Sequence, residues 1–253
     1  IESLQKLLNI TILYNNGLKI SKIADLTDAK IILLVREIVF KKGIESQASI
    51  SLKLSMLNFD ENLFNQTYNS LITQKSFRLI FIDIFMPFMN EIGFLWQVSS
   101  ITPAHEHFIT HLIKQKIIIN IDKIQLLPQS KEAKNFVLFL PINEIHELGL
   151  LFLHFELLFH GHHSIYLGQS VPVENLKDLQ KIYTNIHFVT YLTVEPSKDS
   201  VDEYLNEIYS KVLQHSNDTL WVLGSKILQF DADSFEDKQI KVCKSPADLL
   251  NIL

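Results

Sequence analysis

The sequence predicts an all-helical first half followed by an α/β second half built on a doubly wound parallel sheet. Residues 46–125 carry helix-length apolar periodicity, interrupted only by short polar turns. A polar stretch at 126–135 then breaks the pattern and reads as a linker. From Phe136 onward, short apolar runs alternate with helix-length segments. Strands that short and apolar, separated by helices, specify a parallel sheet covered on both faces. With 253 residues, 47% hydrophobic and 20% charged, the chain suits one large or two ordinary folded domains.

Each element has a local reason. Residues 1–16 place Leu4, Leu7, Leu8, Thr11 and Ile12 on one helical face, and Asn15-Asn16-Gly17 stops the helix with a left-handed cap at Asn16 or Gly17. Residues 18–26 form a second short helix, and Thr27-Asp28 opens a third that runs to about Lys42, before Gly43. Four longer helices follow at 47–59, 60–75, 76–99 and 102–125. Asp60, Ser76 and Thr102 are their N-caps, and Pro103 takes the first helical position, where no donor is lost. Short connections make these four an antiparallel bundle. In the second half, strands at 136–142, 164–168, 187–194, 219–224 and 239–243 alternate with helices at 144–159, 173–183, 200–215 and 245–253. The result is a flavodoxin-like domain whose ligand crevice lies at the carboxyl ends of its strands.

Composition excludes several roles. The net charge of −5 gives the whole chain no general attraction for nucleic acid, although residues 1–42 hold seven Lys/Arg against four Asp/Glu. Cys243 is the sole cysteine, so there is no internal disulfide and no cysteine metal cage, which fits a reducing, cytoplasmic setting. The first residues lack the basic-then-apolar order of a signal peptide. The apolar stretch 77–96 contains Arg78, Asp83, Pro87 and Glu91, and so reads as a buried helix instead of a membrane span. No Ser/Cys-His-acid set or phosphate loop marks a conventional enzyme. The chain opens mid-pattern without Met, so it is expected to be part of something longer.

The organising motif is Glu144-x-His146-x-x-Gly149, in the loop after the first strand of the sheet. A histidine there is placed for a ligand, and a carboxylate two residues earlier can fix its tautomer. Glycine three residues on lets something bulky approach the backbone. This acidic-x-His-x-x-Gly pattern resembles the lower-ligand motif of cobalamin-binding domains. The resemblance implies His146 as the lower axial ligand of cobalt. Further matches follow in order. Gly168-Gln-Ser170-Val-Pro172 resembles the family's glycine-to-proline turn. Thr190-Tyr191-Leu192 stands where the family has a small hydroxyl residue two before a leucine, with Thr for the usual Ser. Gly224-Ser225 stands where it has a Gly-Gly pair, with one glycine missing. The resemblance implies a slot, lined by Gly, Ser and Thr, for the cofactor's displaced nucleotide tail.

The bundle carries a sharper match. Trp96, then nine residues, then Glu106-His107 resembles the signature of the CarH/LitR group of MerR-type cobalamin-dependent photoreceptors. In that group the bundle caps the upper face of adenosylcobalamin, with the Trp packed on the adenosyl group and the Glu-His pair nearby. The spacing of Leu7, Ile10, Leu13, Gly17, Ile20 and Ile23 resembles the second half of the MerR winged-helix domain, which would put the DNA-reading helices upstream of Ile1. The resemblance thus divides the chain into a DNA-domain remnant (1–43), a four-helix cap (46–125), a linker (126–135) and a cobalamin-binding domain (136–253). It implies a transcriptional regulator with no enzymatic role and no membrane association. Such a regulator binds operator DNA in its full-length form and self-associates as dimer or tetramer until light cleaves the cobalt–carbon bond. One departure stands out: Gln97 occupies the position after the Trp where several members have a histidine that takes the upper cobalt position after light. His105, His107 or His111 would have to serve instead. Two alternatives remain open: a corrinoid methyl carrier or sensor, with methylcobalamin as the cofactor, and a regulator with a degenerate cobalamin fold acting through protein contacts.

Overall fold

The structure is a computed structural model. It describes residues 6, 9–11, 13–14, 17–41, 44–97, 101–126, 128, 130–228, 235 and 238–251, and the side chains of these except 36–41, 44–46, 94, 96–97, 247 and 250–251. The expected roles of Leu4, Leu7, Leu8, Ile12, Asn15, Asn16 and Gly43 lie outside these residues, as do the side chains of Trp96 and Gln97. The chain forms two compact units, 1–115 and 116–253, the division falling within one long helix.

The first unit is helical. A short helix α1 (Ile20–Ala24) leads to α2 (Asp28–Lys41), α3 (Ile44–Asn58) and α4 (Glu61–Ile72). Helix α5 (77–97) contains a wider π turn at Phe81–Phe85, and α6 (Pro103–Ile124) crosses into the second unit. Two expected caps form: the Asp60 carboxylate accepts the Leu63 amide at 2.9 Å, and Ser76 accepts that of Leu79 at 3.4 Å, whereas the Thr102 hydroxyl pairs with His105 Nδ1. Phe64 and Tyr68 of α4 stack on Phe85 of α5 at ring separations of 6.2 and 6.3 Å. Met56, Phe88, Ile109 and Ile113 of the same unit are also buried, and Leu13, Ile23, Ile31, Val35 and Ile50 form an apolar cluster.

The second unit is a five-stranded, all-parallel sheet in the order β2-β1-β3-β4-β5. Its strands are β1 (Asn135–Phe139), β2 (His163–Gly168), β3 (Ile186–Tyr191), β4 (Thr219–Leu223) and β5 (Ile240–Val242). Helix α7 (Leu148–Phe159) follows β1, and α8 (Lys177–Gln180), preceded by a 3-10 turn, follows β2. Helix α9 (Val201–Ile208), continued by a π segment, follows β3, and α10 (Pro246–Asn251) follows β5. Period-two alternation gives the sheet two faces. Phe136, Leu138, Val189, Trp221 and Leu223 pack beneath α7 and α10. Val137, Phe139, Phe188, Leu220 and Val222 pack with Val201, Leu205 and Ile208 of α9.

Several boundaries differ from the sequence expectation. Strand β1 stops at Phe139, short of residue 142, because the Leu140 amide turns to the Gly168 carbonyl and the Leu140 carbonyl takes the Val171 amide. Helix α7 starts at Leu148, four residues later than expected, and β3 ends at Tyr191 instead of 194. The segment expected as one helix at 173–183 is a 3-10 turn plus a single α turn. The reason for the two shifts at α7 and β3 is the site itself.

Candidate functional site

In a parallel sheet every strand ends on the same edge, and the chain's direction of winding reverses between β1 and β3. Loops leaving those two strands flank a natural crevice. The β1 loop carries Glu144 and His146, and the β3 loop carries residues 192–200.

Glu144 ties the two loops together. Its side chain is fully buried. One carboxylate oxygen, Oε1, accepts the amides of Ile145 and His146, each at 2.9 Å, and lies 2.6 Å from His146 Nδ1. The other, Oε2, accepts the amides of Thr193, Val194 and Glu195 at 3.3, 2.7 and 2.9 Å. Burial pushes its acidity toward the protonated form. The hydrogen bonds from the His146 ring and from the amides of Glu195, His146 and Val194 outweigh it, and the pKa falls to about 2. The group is therefore a carboxylate at neutral pH. A carboxylate beside Nδ1 keeps the proton there and leaves the lone pair of a neutral imidazole on Nε2. The His146 side chain is 40% exposed at the sheet edge.

A second buried acid braces the same loop. Glu147 accepts the Tyr166 hydroxyl and the Gln169 side-chain amide, both at 2.7 Å, and Gln169 also donates to the Ile145 carbonyl at 3.1 Å. Burial, then Glu147, pushes the Tyr166 phenol far up, so it stays a donor. Ser170 Oγ accepts the Asn143 amide at 3.1 Å, and Gly168 receives the Leu140 amide through its carbonyl, so both fasten the β1 and β2 loops together.

Gly224 permits the closest approach at this edge. At φ 112°, a Cβ there would lie 2.6 Å from the backbone nitrogen and carbonyl carbon of Leu192. Leu192 is fully buried, and the Ser225 hydroxyl donates to the Thr193 carbonyl at 3.3 Å. Gly149, in the first turn of α7, faces Tyr191: a Cβ would lie 3.1 Å from that ring. Thr190 is fully buried on the other face of the sheet, the α9 side, where burial holds the Tyr204 phenol up and Thr190 pulls it down. Among the described residues neither hydroxyl makes a full hydrogen bond.

Thus Glu144, His146, Gly168, Ser170, Leu192, Gly224 and Ser225 meet at one edge, while Gly149 and Thr190 lie on opposite faces of the sheet. In the helical unit, Glu106 and His107 sit in the first turn of α6, Glu106 half-buried and His107 exposed, and Trp96 lies in the last turn of α5. His105, beside them, is buried and stacked on Phe59 at 4.7 Å. Its Nδ1 meets the Thr102 hydroxyl at 2.8 Å, and among the described residues its Nε2 has no hydrogen-bond partner. Sequence reasoning missed Glu147, Tyr166, Gln169, Tyr191 and the 193–195 amides as parts of this edge. Their partners lie far along the chain, so no local spacing announces them. Exposed Ile142, Ile145, Val194 and Leu228, from three different loops, were also missed; they give the edge an apolar rim. The donor set fits an axial nitrogen ligand for a metal held in a large flat ring: one oriented imidazole with an apolar surround. Among the described residues no group of three His, Cys, Asp or Glu could hold a metal ion by itself.

Comparison with known proteins places this scaffold. Residues 51–119 match the family model of a B12 binding domain. That match falls on the helices, not on the sheet carrying His146. A stretch of 96 residues, 38% of this chain, is 26% identical to the HTH-type transcriptional repressor CarH of Myxococcus xanthus, and spans 31% of that relative's length. The Methanosarcina barkeri monomethylamine corrinoid protein superposes with a TM-score of 0.63 at 14% identity, covering 79% of this chain and 94% of that one. The methanol:cobalamin methyltransferase complex MtaBC of Methanosarcina barkeri matches at 14% identity and a TM-score of 0.41, over 90% and 91% of the two chains. The helical unit followed by a five-stranded parallel α/β sheet is the Rossmann-like fold of corrinoid-binding proteins.

Proposed function

We propose that this chain binds a cobalamin with His146 as the lower axial ligand and acts as a light-responsive transcriptional regulator. The observation that carries the proposal is the buried Glu144 carboxylate, which holds His146 Nδ1 at the β1/β3 switch point. The B12 binding domain match over the helices supports a corrinoid as the ligand. The stretch of identity to the repressor CarH supports regulation as the output. In this reading Glu144 orients the imidazole and raises its basicity, and Glu147 and Gln169 keep the loop in place. Trp96, Glu106 and His107 of the helical unit respond to the upper ligand. When bound, adenosylcobalamin supplies a cobalt–carbon bond that light breaks; the protein supplies orientation and coupling to assembly and operator DNA.

The test is purification of the chain with adenosylcobalamin in the dark, followed by absorbance spectra and size-exclusion chromatography before and after illumination. The expected result is a red complex whose spectrum and elution volume both change with light. His146→Ala should alter the dark spectrum by removing an axial nitrogen. A chain that takes up no corrinoid, or whose spectrum ignores His146→Ala, would overturn the reading. A second reading, a corrinoid methyl carrier or sensor, is favoured by the shared fold with the monomethylamine corrinoid protein across both units. A complex that forms with methylcobalamin and keeps its elution volume in light supports that alternative.

A further inference from the structure

Beside Gly149, three residues after His146, lies a side chain for which packing is the one restraint among the described residues. Tyr191 is the last residue of β3 and lies on the α7 face of the sheet. Its ring fills the place where α7 begins: a Cβ on Gly149 would stand 3.1 Å from ring atoms Cε2 and Cζ, tighter than an ordinary contact. Glycine at 149 therefore lets the ring sit a few tenths of an ångström closer to α7 than a Cβ would allow. The neighbouring tyrosine on the same face, Tyr166 of β2, is pinned by its 2.7 Å hydrogen bond to Glu147, whose other oxygen is held by Gln169. Tyr191 has no such bond among the described residues, and burial alone pushes its phenol up. One tyrosine of the pair is fixed and the other is free to change rotamer at the cost of its packing. The backbone just beyond it, residues 193–195, is clamped to Glu144, so the side chain can swing without the loop following.

We propose that Tyr191 is a gate that sorts corrinoids by the group carried beneath the ring. A corrinoid with no lower nucleotide meets His146 with Tyr191 in place. One whose displaced nucleotide must pass between α7 and β3 has to turn the phenol ring out of the Gly149 gap. The inference rests on the corrinoid reading of the His146 site, and it makes Tyr191 a specificity-determining residue of that site.

The test is an absorbance titration of the full 253-residue chain with two probes, aquocobalamin and diaquocobinamide, the second lacking the nucleotide. Cobalamin must also release its own base, so the wild-type ratio of dissociation constants mixes two effects. The change in that ratio reports Tyr191. Tyr191→Ala should lower the ratio of cobalamin to cobinamide dissociation constants at least about threefold. Tyr191→Leu serves in its place if circular dichroism shows that the alanine variant does not fold. A smaller change in the ratio overturns the gate and leaves the His146 site standing. Failure of the wild-type chain to bind either probe overturns the corrinoid reading, and the gate with it.

Discussion

At the scale of single residues, Glu144 holds two loops with one carboxylate. Removing it leaves the amides of Val194, Glu195, Ile145 and His146 without their acceptor at a partly buried edge. Glu144→Ala should therefore cost about 3 kcal/mol, or roughly 6–12 °C in melting temperature for a chain of this size. Glu144→Asp keeps the charge but shortens the arm, so it can serve one loop or the other and should recover only part of that loss. A melting temperature unchanged by Glu144→Ala would refute the clamp. Thr190 behaves oppositely. Its buried hydroxyl lacks a full hydrogen bond among the described residues, so Thr190→Val should leave stability unchanged or raise it by about 1 kcal/mol in chemical denaturation. A loss of more than about 1 kcal/mol would mean that the hydroxyl has a partner in solution. The sequence exposed Glu144 as the partner of His146, because the two lie in one short motif. It did not expose the 193–195 amides, which bond the same carboxylate across 49–51 residues.

At the scale of elements, the order of strands and helices was legible because alternating and 3.6-residue apolar patterns differ even in short windows. The ends were not. Helix α7 begins late and β3 stops early for one shared reason: backbone amides on both loops turn away from regular structure toward the Glu144 carboxylate. A contact made between distant loops leaves no local trace in composition. Capping was the exception, since Asp60 and Ser76 act on amides three residues away. The seams between elements also predict a response to acid. His154 of α7 meets Ser164 of β2 at 2.8 Å, and His187 of β3 meets Thr219 of β4 at 2.7 Å. Burial lowers His154 to about 4; burial, then the charges of Lys134 and Lys241, lower His187 to about 4. Both therefore prefer the neutral form when folded, relative to an unfolded value near 6.5. The stability they contribute is present above pH 6.5 and is lost as the pH falls toward 4, up to about 2 kcal/mol for each after allowance for partial exposure. The urea midpoint should fall steadily between pH 7 and 4.5, and His187→Asn should flatten that slope. A midpoint constant over the range would exclude these two histidines as the source.

At the scale of the whole molecule, the helical unit carries the B12 binding domain match and the sheet unit carries the oriented imidazole, so either unit alone holds only part of the proposed function. Among the described residues no helix is long and apolar enough to cross a membrane. Ligand-dependent stability tests the two units separately. A ligand at about 100 times its dissociation constant adds about 2.7 kcal/mol to whatever folds around it. For a chain this long that amounts to roughly 5–10 °C. Scanning calorimetry of the chain alone, with hydroxocobalamin, and with adenosylcobalamin in the dark separates the roles of the units. Anchoring by His146 requires that both corrinoids raise the melting of the sheet unit. A light switch requires more: only the adenosyl form should raise the melting of the helical unit, and illumination should return it to the hydroxocobalamin value. A helical unit that melts at one temperature in all three samples would leave a corrinoid carrier, not a photoreceptor, as the function of this fold.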